Sequence, residues 1–521
     1  MKRITKMLLC LLAFCMLLGA FASCKPGKSS GSQDDTGSSG TGTKEKATDE
    51  WGQSDSQLDI DKKYNEDITI LVRPLDQYKR EWFVESGEPS NTLEEKIIVR
   101  NEYVCDKLDI EMNFKPLKSD SKNTYTDTIM AAYRSGSGDY DVVSAYAAYS
   151  TAVTAMEAFI NLNDARFPMF HFDQPYWNQS YISTANVDGY LYTVCGDVNL
   201  SVFDRTIVTY INKDALKERQ VNLDDLYETV LAGDWTYEKF YQIVSSIGYE
   251  EKDNIDGATD GDFYALSAIK GSEASDGFVQ AFDLKIISKN GESYSLATGS
   301  DRLKLDDAMT KIQTLFYNSN AAKTWKPTTE ESNATYLNYK CFTEGRAAFT
   351  IDVIYHYESG LAMMRDTDFD IGMIPVPKYD DDQVGYKASV QDAHNVMAIL
   401  YSPRASANHY EAISALLEML CYYTYHDVRP FYFERMIKTR YVDGAEDARV
   451  FDIILASTAW DFADVYNANL ATDDSDKGPR ERVWRSSFNT QGSVSSACET
   501  LETQINKKID DLMKWMKEHQ W

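Results

Sequence analysis

The chain reads as an α/β protein built on open, largely parallel sheets with helices on both faces. Three observations predict this. From Ile68 onward the hydrophobic period switches repeatedly between two and about 3.6, so strands alternate with helices along the chain. Short β-branched runs recur at Ile207 to Asn212, Ala347 to Ile351 and His394 to Leu400, each bounded by turn residues. Finally, 43% of the residues are hydrophobic, and a body of roughly 460 residues has enough apolar surface for two or three domains, or for two large lobes sharing one chain.

The amino-terminal residues form a segment of their own. Lys2, Arg3 and Lys6 make a basic start, Met7 to Phe21 form an apolar run too short to cross a bilayer, and small residues follow, which is the pattern of an export signal over 1–23. The run ends in Phe21-Ala22-Ser23-Cys24, which resembles a bacterial lipobox and implies lipidation at Cys24. Residues 24–57 are Lys, Gly, Ser, Thr, Asp and Gln with almost nothing apolar, so they bury too little surface to offset the entropy of ordering. They read as a tether, with a reach of roughly 30 Å for about thirty flexible residues.

The body opens with a buried strand, Ile68 to Val72, whose exit is Arg73 to Tyr78. Thr92 and Glu95 are spaced as a capping box, and Leu93, Ile97, Val104 and Leu108 follow at helical spacing. Ile110, Met112 and Phe114 then alternate with polar neighbours as a second strand. A short helix around Thr128 to Tyr133 and a Ser-Gly-Ser-Gly turn lead to a third strand at Tyr140 to Val143, with Ser144 to Tyr149 as its exit. In such sheets ligands bind beyond the carboxyl ends of the strands, so the exits near Arg73 and Tyr146 belong to one rim.

Gly189 to Thr193 reads as a strand leading into Gly196-Asp197. Trp235 sits one residue before a helix cap at Thr236, with Phe240 four residues into the helix, and is assigned to a hydrophobic staple. Asp253 to Asp262 (DNIDGATDGD) offers Asp253, Asp256, Asp260 and Asp262 as candidate ligands of a structural calcium ion. It lacks the alternate ligands and terminal Glu of a full calcium loop, so a solvated acidic turn is expected and no cofactor is implied. A long helix is expected around Tyr410 to Tyr425, and Val494, Ala497, Leu501, Ile505, Leu512 and Met516 mark a final amphipathic helix docked on the core. Cys105, Cys195, Cys341, Cys421 and Cys498 are far apart and mostly lie in apolar runs, as buried free thiols do.

Composition also excludes function classes. A formal charge of −28 with no concentrated basic patch argues against nucleic acid as a partner. No Gly-x-Ser-x-Gly elbow, phosphate-binding Gly-x-x-x-x-Gly-Lys-Ser/Thr or His-Glu-x-x-His is present, and the six histidines share no spacing. With 81 acids, carboxylate pairs arise by chance, so none is assigned as catalytic. Aromatics at 12%, with 34 Tyr and nine Trp, suit a cleft in which flat rings cover the C–H face of a sugar and polar groups bind its hydroxyls.

Cys341 to Tyr357 (CFTEGRAAFTIDVIYHY) and Phe369 to Asp380 (FDIGMIPVPKYD) together resemble the mid-chain signature of extracellular solute-binding proteins, family 1 type, that feed carbohydrate ABC importers. The later segments Phe431 to Tyr441 and Phe451 to Tyr466 resemble the carboxyl-terminal helices of clostridial-type sugar-binding lipoproteins. The resemblance implies a two-lobe, periplasmic-binding-protein-like (type II, Venus-flytrap) fold with extra carboxyl-terminal helices. Lobe 1 would take 58–190 and lobe 2 191–375, with 376–521 returning to lobe 1 and packing on both lobes. It further implies a non-enzymatic monomer on the extracellular face of the membrane that closes on a mono- or oligosaccharide and passes it to permease subunits. In maltose-type relatives an Ala-Ala-Met strand leads to a stacking Trp, and here Ala347-Ala348-Phe349 leads to Asp352 and then Tyr355. The implied ligand-binding residues are therefore Asp352 and Tyr355, followed by Tyr146 and Asp197, and then Trp82, Trp177 and Trp325. An exported carbohydrate-active hydrolase and a glycan-capture protein uncoupled from transport are the alternatives that composition leaves open.

Overall fold

Ten strands make up two sheets that lie on either side of a double chain crossing. They are β1 Glu66–Val72, β2 Ile110–Pro116, β3 Val142–Tyr146, β4 Ile207–Asn212, β5 Tyr249–Glu250, β6 Phe263–Ile269, β7 Ala322–Trp325, β8 Ala347–Val353, β9 Ile371–Ile374 and β10 Asn395–Ile399. The computed structural model describes residues 58, 60, 62–252, 259–269, 273–318, 321–325, 338–355, 364, 367–438, 445–472 and 477–519. Residues 1–57, on which the export-signal, lipidation and tether readings fall, lie outside the described residues, as do Asp253 and Asp256.

The first sheet has the order β10-β3-β1-β2. β1 runs parallel to β2 and β3, whereas β10 returns antiparallel to β3, pairing Asn395 with Tyr146. Ile68, Ile70, Leu71 and Val72 are buried, which accounts for the uninterrupted apolar run at the end of β1. Helix α1, Thr92–Leu108, is capped one residue earlier than the spacing predicts: Asn91 is extended, and its side chain accepts from the Glu94 N–H. The Glu94 carboxylate accepts from the N–H and the hydroxyl of Ser90, one residue before the cap. Helix α2, Lys122–Ser135, starts at a Ser121 cap and stops at Gly136, whose φ of +56° suits glycine.

The second sheet has the order β9-β4-β8-β6-β5, with β7 pairing beside β6. Every residue of β4, β6 and β8 is buried. Gly345, at φ +73°, makes the turn into β8. Trp235 is fully buried against Phe240, with ring centroids 5.6 Å apart, as the staple requires.

The chain passes from the first sheet to the second between Val194 and β4, and back between β9 and β10. Gly189 to Thr193 does not form a strand; Asp188 and Gly189 both take positive φ in a tight turn that pairs Val187 with Tyr190. Val194 still bridges Met397 of β10 and therefore belongs with the first sheet. The chain crosses through Ser201–Asp204 into β4 and returns through 390–394 into β10. The two passages touch where Thr206 bridges Val390 and where the Gln391 N–H donates to the Arg205 carbonyl. Before that return, β9 pairs with β4, and Trp235 Nε1 donates to the Pro375 carbonyl, so the two prolines end a strand inside the second lobe.

Helix α3, Ala407–Tyr423, packs along α1. The terminal helix α4, Val494–Glu518, buries Val494, Cys498, Ile505, Ile509, Leu512 and Met516. It seats on strand Ser293–Leu296 and helix Gly299–Gln313, and its end reaches Tyr192 and the Phe159 carbonyl on the first-sheet side. The five described cysteines are all free thiols, four of them buried. No helix among the described residues is long and apolar enough to cross a membrane.

Candidate functional site

Because β1 and β3 run parallel, their carboxyl ends open on the same side of the first sheet and face the crossing. β1 delivers Arg73, Gln77 and Tyr78, and β3 delivers Tyr146 and Tyr149. The Arg73 guanidinium is sandwiched between the Tyr78 ring at 3.4 Å and the Tyr146 ring at 4.6 Å. It is held there by a two-pronged pair with Asp120, with Nε–Oδ1 at 2.7 Å, and by donation to the Ala393 carbonyl at 2.6 Å. Tyr146 stacks on Tyr149 with centroids 4.5 Å apart and planes 16° from parallel. Its hydroxyl donates to Asp392 Oδ1 at 3.2 Å, and burial together with the nearby Asp392 charge pushes that phenol well above its ordinary range.

The second sheet contributes Tyr355, just past β8. Its hydroxyl donates to Gln77 Oε1 of the first lobe, and its ring covers Arg205 at 4.5 Å. Arg205 lies in the first crossing passage and donates from Nη2 to the Tyr78 hydroxyl at 2.8 Å and from Nη1 to Gln391 Oε1 at 3.2 Å. Tyr355, Arg205, Tyr78, Arg73, Tyr146 and Tyr149 thus form a continuous chain of rings and guanidinium planes from one sheet to the other.

Behind this surface, Glu81 is fully buried and ties both passages together. It accepts from the Ser201 N–H at 3.0 Å and from the Asn395 side-chain amide. Burial raises its carboxyl to about 7. Asp392 is kept ionised below the usual carboxylate range because Arg480 and Arg485 outweigh its burial, whereas burial lowers His394 to about 4. Among the described residues no group of three or more metal-ligating side chains occurs. Asp262 accepts from Tyr249 Oη and from the N–H groups of Lys252 and Thr259, and Asp260 pairs with Lys323 at 2.7 Å.

Of the residues expected at the site, Tyr146 and Tyr355 come together on this surface. Asp352 is fully buried in β8, its carboxylate folded back on the Val353 N–H at 2.7 Å and facing Tyr339. Asp197 is buried in an ion pair with Arg429 at 2.9 Å, and desolvation raises it to about 6 despite that partner. Trp82 donates to Ser144 Oγ at 2.7 Å and Trp177 to Glu418 Oε2 at 2.9 Å, both from the interior. Trp325 ends β7, and its side chain lies outside what the structure describes. Residue type alone did not single out Arg73, Gln77, Tyr78, Tyr149 or Arg205. The first four lie in the two strand exits already assigned to one rim, which was the available signal.

No family model and no curated protein matches the chain. Solved structures do. UspC of Mycobacterium tuberculosis is 13% identical, with 85% of this chain and 100% of that one covered and a TM-score of 0.54. A sugar transporter from Rhizobium etli in an open conformation is 12% identical, with 85% and 99% covered and a TM-score of 0.53. UgpB from Mycobacterium tuberculosis in complex with glycerophosphocholine is 15% identical, with 81% and 96% covered and a TM-score of 0.51. The chain has the two-lobed, periplasmic-binding-protein-like α/β fold.

Proposed function

We propose that this protein captures a carbohydrate outside the cell and delivers it to the membrane subunits of an ABC importer. The observation that carries this reading is the crossing, where the stacked phenols of Tyr146 and Tyr149 in the first lobe are linked through Arg73, Tyr78 and Arg205 to Tyr355 of the second. Phenol faces suit the apolar side of a pyranose, and their hydroxyls with Gln77, Gln391 and Asp392 suit its polar edge. Because Tyr355 and Gln77 belong to different lobes, a solute held between them stabilises the closed arrangement over the open one, and the importer recognises the closed shape. The protein alters no bond of the solute. Its fold is shared with the sugar transporter from Rhizobium etli, which supports a transport role. Attachment to the cell surface is through a lipid on Cys24, with residues 25–57 as the tether.

The test is a thermal-shift and calorimetric screen of the purified protein against mono- and oligosaccharides, with the products of each incubation analysed chromatographically. Saturable binding that raises the melting temperature without turnover is expected. Cleavage of any glycoside would replace this reading with a hydrolase. Cys24→Ser should abolish incorporation of labelled fatty acid in cells, and undiminished labelling would overturn the anchor.

A further inference from the structure

Most of the arginines around the crossing are ion-paired among the described residues. Arg73 is paired with Asp120, and Arg80 with Asp204 at 2.9 Å. Arg429 is paired with Asp197, and Arg480 with Asp392, Asp276 and Asp464. Arg205 is 7% exposed, yet among the described residues it meets no carboxylate within ion-pair distance. Its two hydrogen-bond acceptors, the Tyr78 hydroxyl and the Gln391 amide oxygen, are neutral, and its buried Nε has no hydrogen-bond partner among the described residues. The neighbouring Asp204 is already committed to Arg80 and the Tyr432 hydroxyl. A buried cation of this kind is costly unless a counter-charge arrives.

Its position suggests where that counter-charge comes from. Arg205 sits in the passage between the lobes, stacked under Tyr355, whose hydroxyl bonds across to Gln77. A separation of the lobes would break that bond and uncover the guanidinium, and closure would return it to a dry environment. We propose that Arg205 pairs with an oxyanion carried by the solute, so that the captured carbohydrate is an acidic one bearing a carboxylate or a phosphate. The free Nε and the Nη2 on the same edge offer the parallel donor pair that such a group accepts, and the Tyr78 hydroxyl on Nη2 is the neutral partner that gives way. This inference rests on the carbohydrate-binding reading and names the chemical class of its ligand.

Calorimetry on the full chain tests it with matched probes: uronate-terminated di- and trisaccharides, their methyl esters, the neutral hexose counterparts and a hexose phosphate. At least one acidic probe should bind ten-fold or more tightly than its neutral partner, and which one it is separates carboxylate from phosphate. Arg205→Gln should bring the acidic and neutral probes to within about two-fold of each other, whereas Arg205→Lys should keep part of the preference. If Arg205→Gln fails to fold, the acid-against-ester comparison on the unaltered protein still decides. Neutral sugars or esters binding as tightly as the acids would overturn the acidic class while leaving saccharide capture intact. Binding of neither kind would overturn both.

Discussion

His409 provides a pH-dependent contribution to the first lobe that can be worked out from its neighbours. It stands in the first turn of α3, where its N–H donates to the Ser406 cap. Its Nδ1 lies 2.8 Å from Glu66 Oε2 at the start of β1, and its Nε2 lies 2.9 Å from Asp141 Oδ1 just before β3. With a carboxylate at each nitrogen, the ring is held as imidazolium. The Asp141 bond, followed by that to Glu66, outweighs burial and raises its pKa from 6.5 to about 9. A folded-state value above the unfolded one means the stabilisation is complete below pH 6.5 and is lost as pH rises through about 9. Glu66 works in the opposite sense. Its burial raises it, but the His409 and Asn408 bonds win and hold it below 4.5, so its share is present above that value and disappears as the pH falls.

The rise of the imidazole is equivalent to about 3 kcal/mol, which partial solvation of the pair reduces to ~2 kcal/mol. Removing the ring with His409→Gln should therefore flatten the alkaline limb. In urea denaturation, the unaltered protein should lose ~2 kcal/mol more than the variant between about pH 6 and about pH 9.5. The His409 ring-proton resonance should titrate near 9 in the same range. A midpoint at or below 6.5, or parallel stability curves for the two proteins, would refute the ion trio as a stabilising element.

Three other perturbations separate binding from folding. Tyr355→Phe removes the hydroxyl that reaches Gln77 but keeps the ring over Arg205, so saccharide affinity should fall by about three- to ten-fold at unchanged melting temperature; calorimetry giving wild-type affinity would remove that bond from closure. Trp177→Phe leaves the buried Glu418 carboxylate one donor short and should cost ~1–3 kcal/mol in chemical denaturation with no change in ligand affinity, whereas weakened binding in a fully stable variant would return Trp177 to the site. Gly196→Ala would drive a methyl group into Cys421 Sγ and to 2.9 Å from the Trp177 ring, and should destabilise by ~1–3 kcal/mol; a neutral result would mean the first lobe relaxes there.

The sequence was a good guide wherever a single element's own burial wrote its pattern. β4 is buried on both faces, so its run of β-branched and aromatic residues continues as far as Asn212 and its boundaries, Ile207 and Asn212, could be read directly. β8 and the staple at Trp235 were legible for the same local reason. Gly189 to Thr193 misled because Tyr190, Leu191 and Tyr192 have strand-forming side chains, whereas the positive φ of Asp188 and Gly189 makes a turn that composition does not reveal.

The site was less legible, because residue type records size and polarity but not direction. Trp82 and Trp177, the large rings expected to stack on a solute, have their indole N–H groups committed to Ser144 and Glu418 in the interior. Tyr78 and Tyr149 are unremarkable members of a set of 34 tyrosines until two parallel strands bring their exits together. Asp352 and Tyr355 stand three positions apart along one segment, yet the first turns into the second lobe's core and the second reaches the crossing. By itself the sequence determined the α/β class, most of the strands and the rim to which β1 and β3 lead, since periodicity and local burial are properties of single elements. Which tyrosines gather at the crossing, and that Arg205 there is hydrogen-bonded to neutral acceptors among the described residues, were decided only by where two distant passages of the chain, 201–206 and 390–394, come to lie side by side.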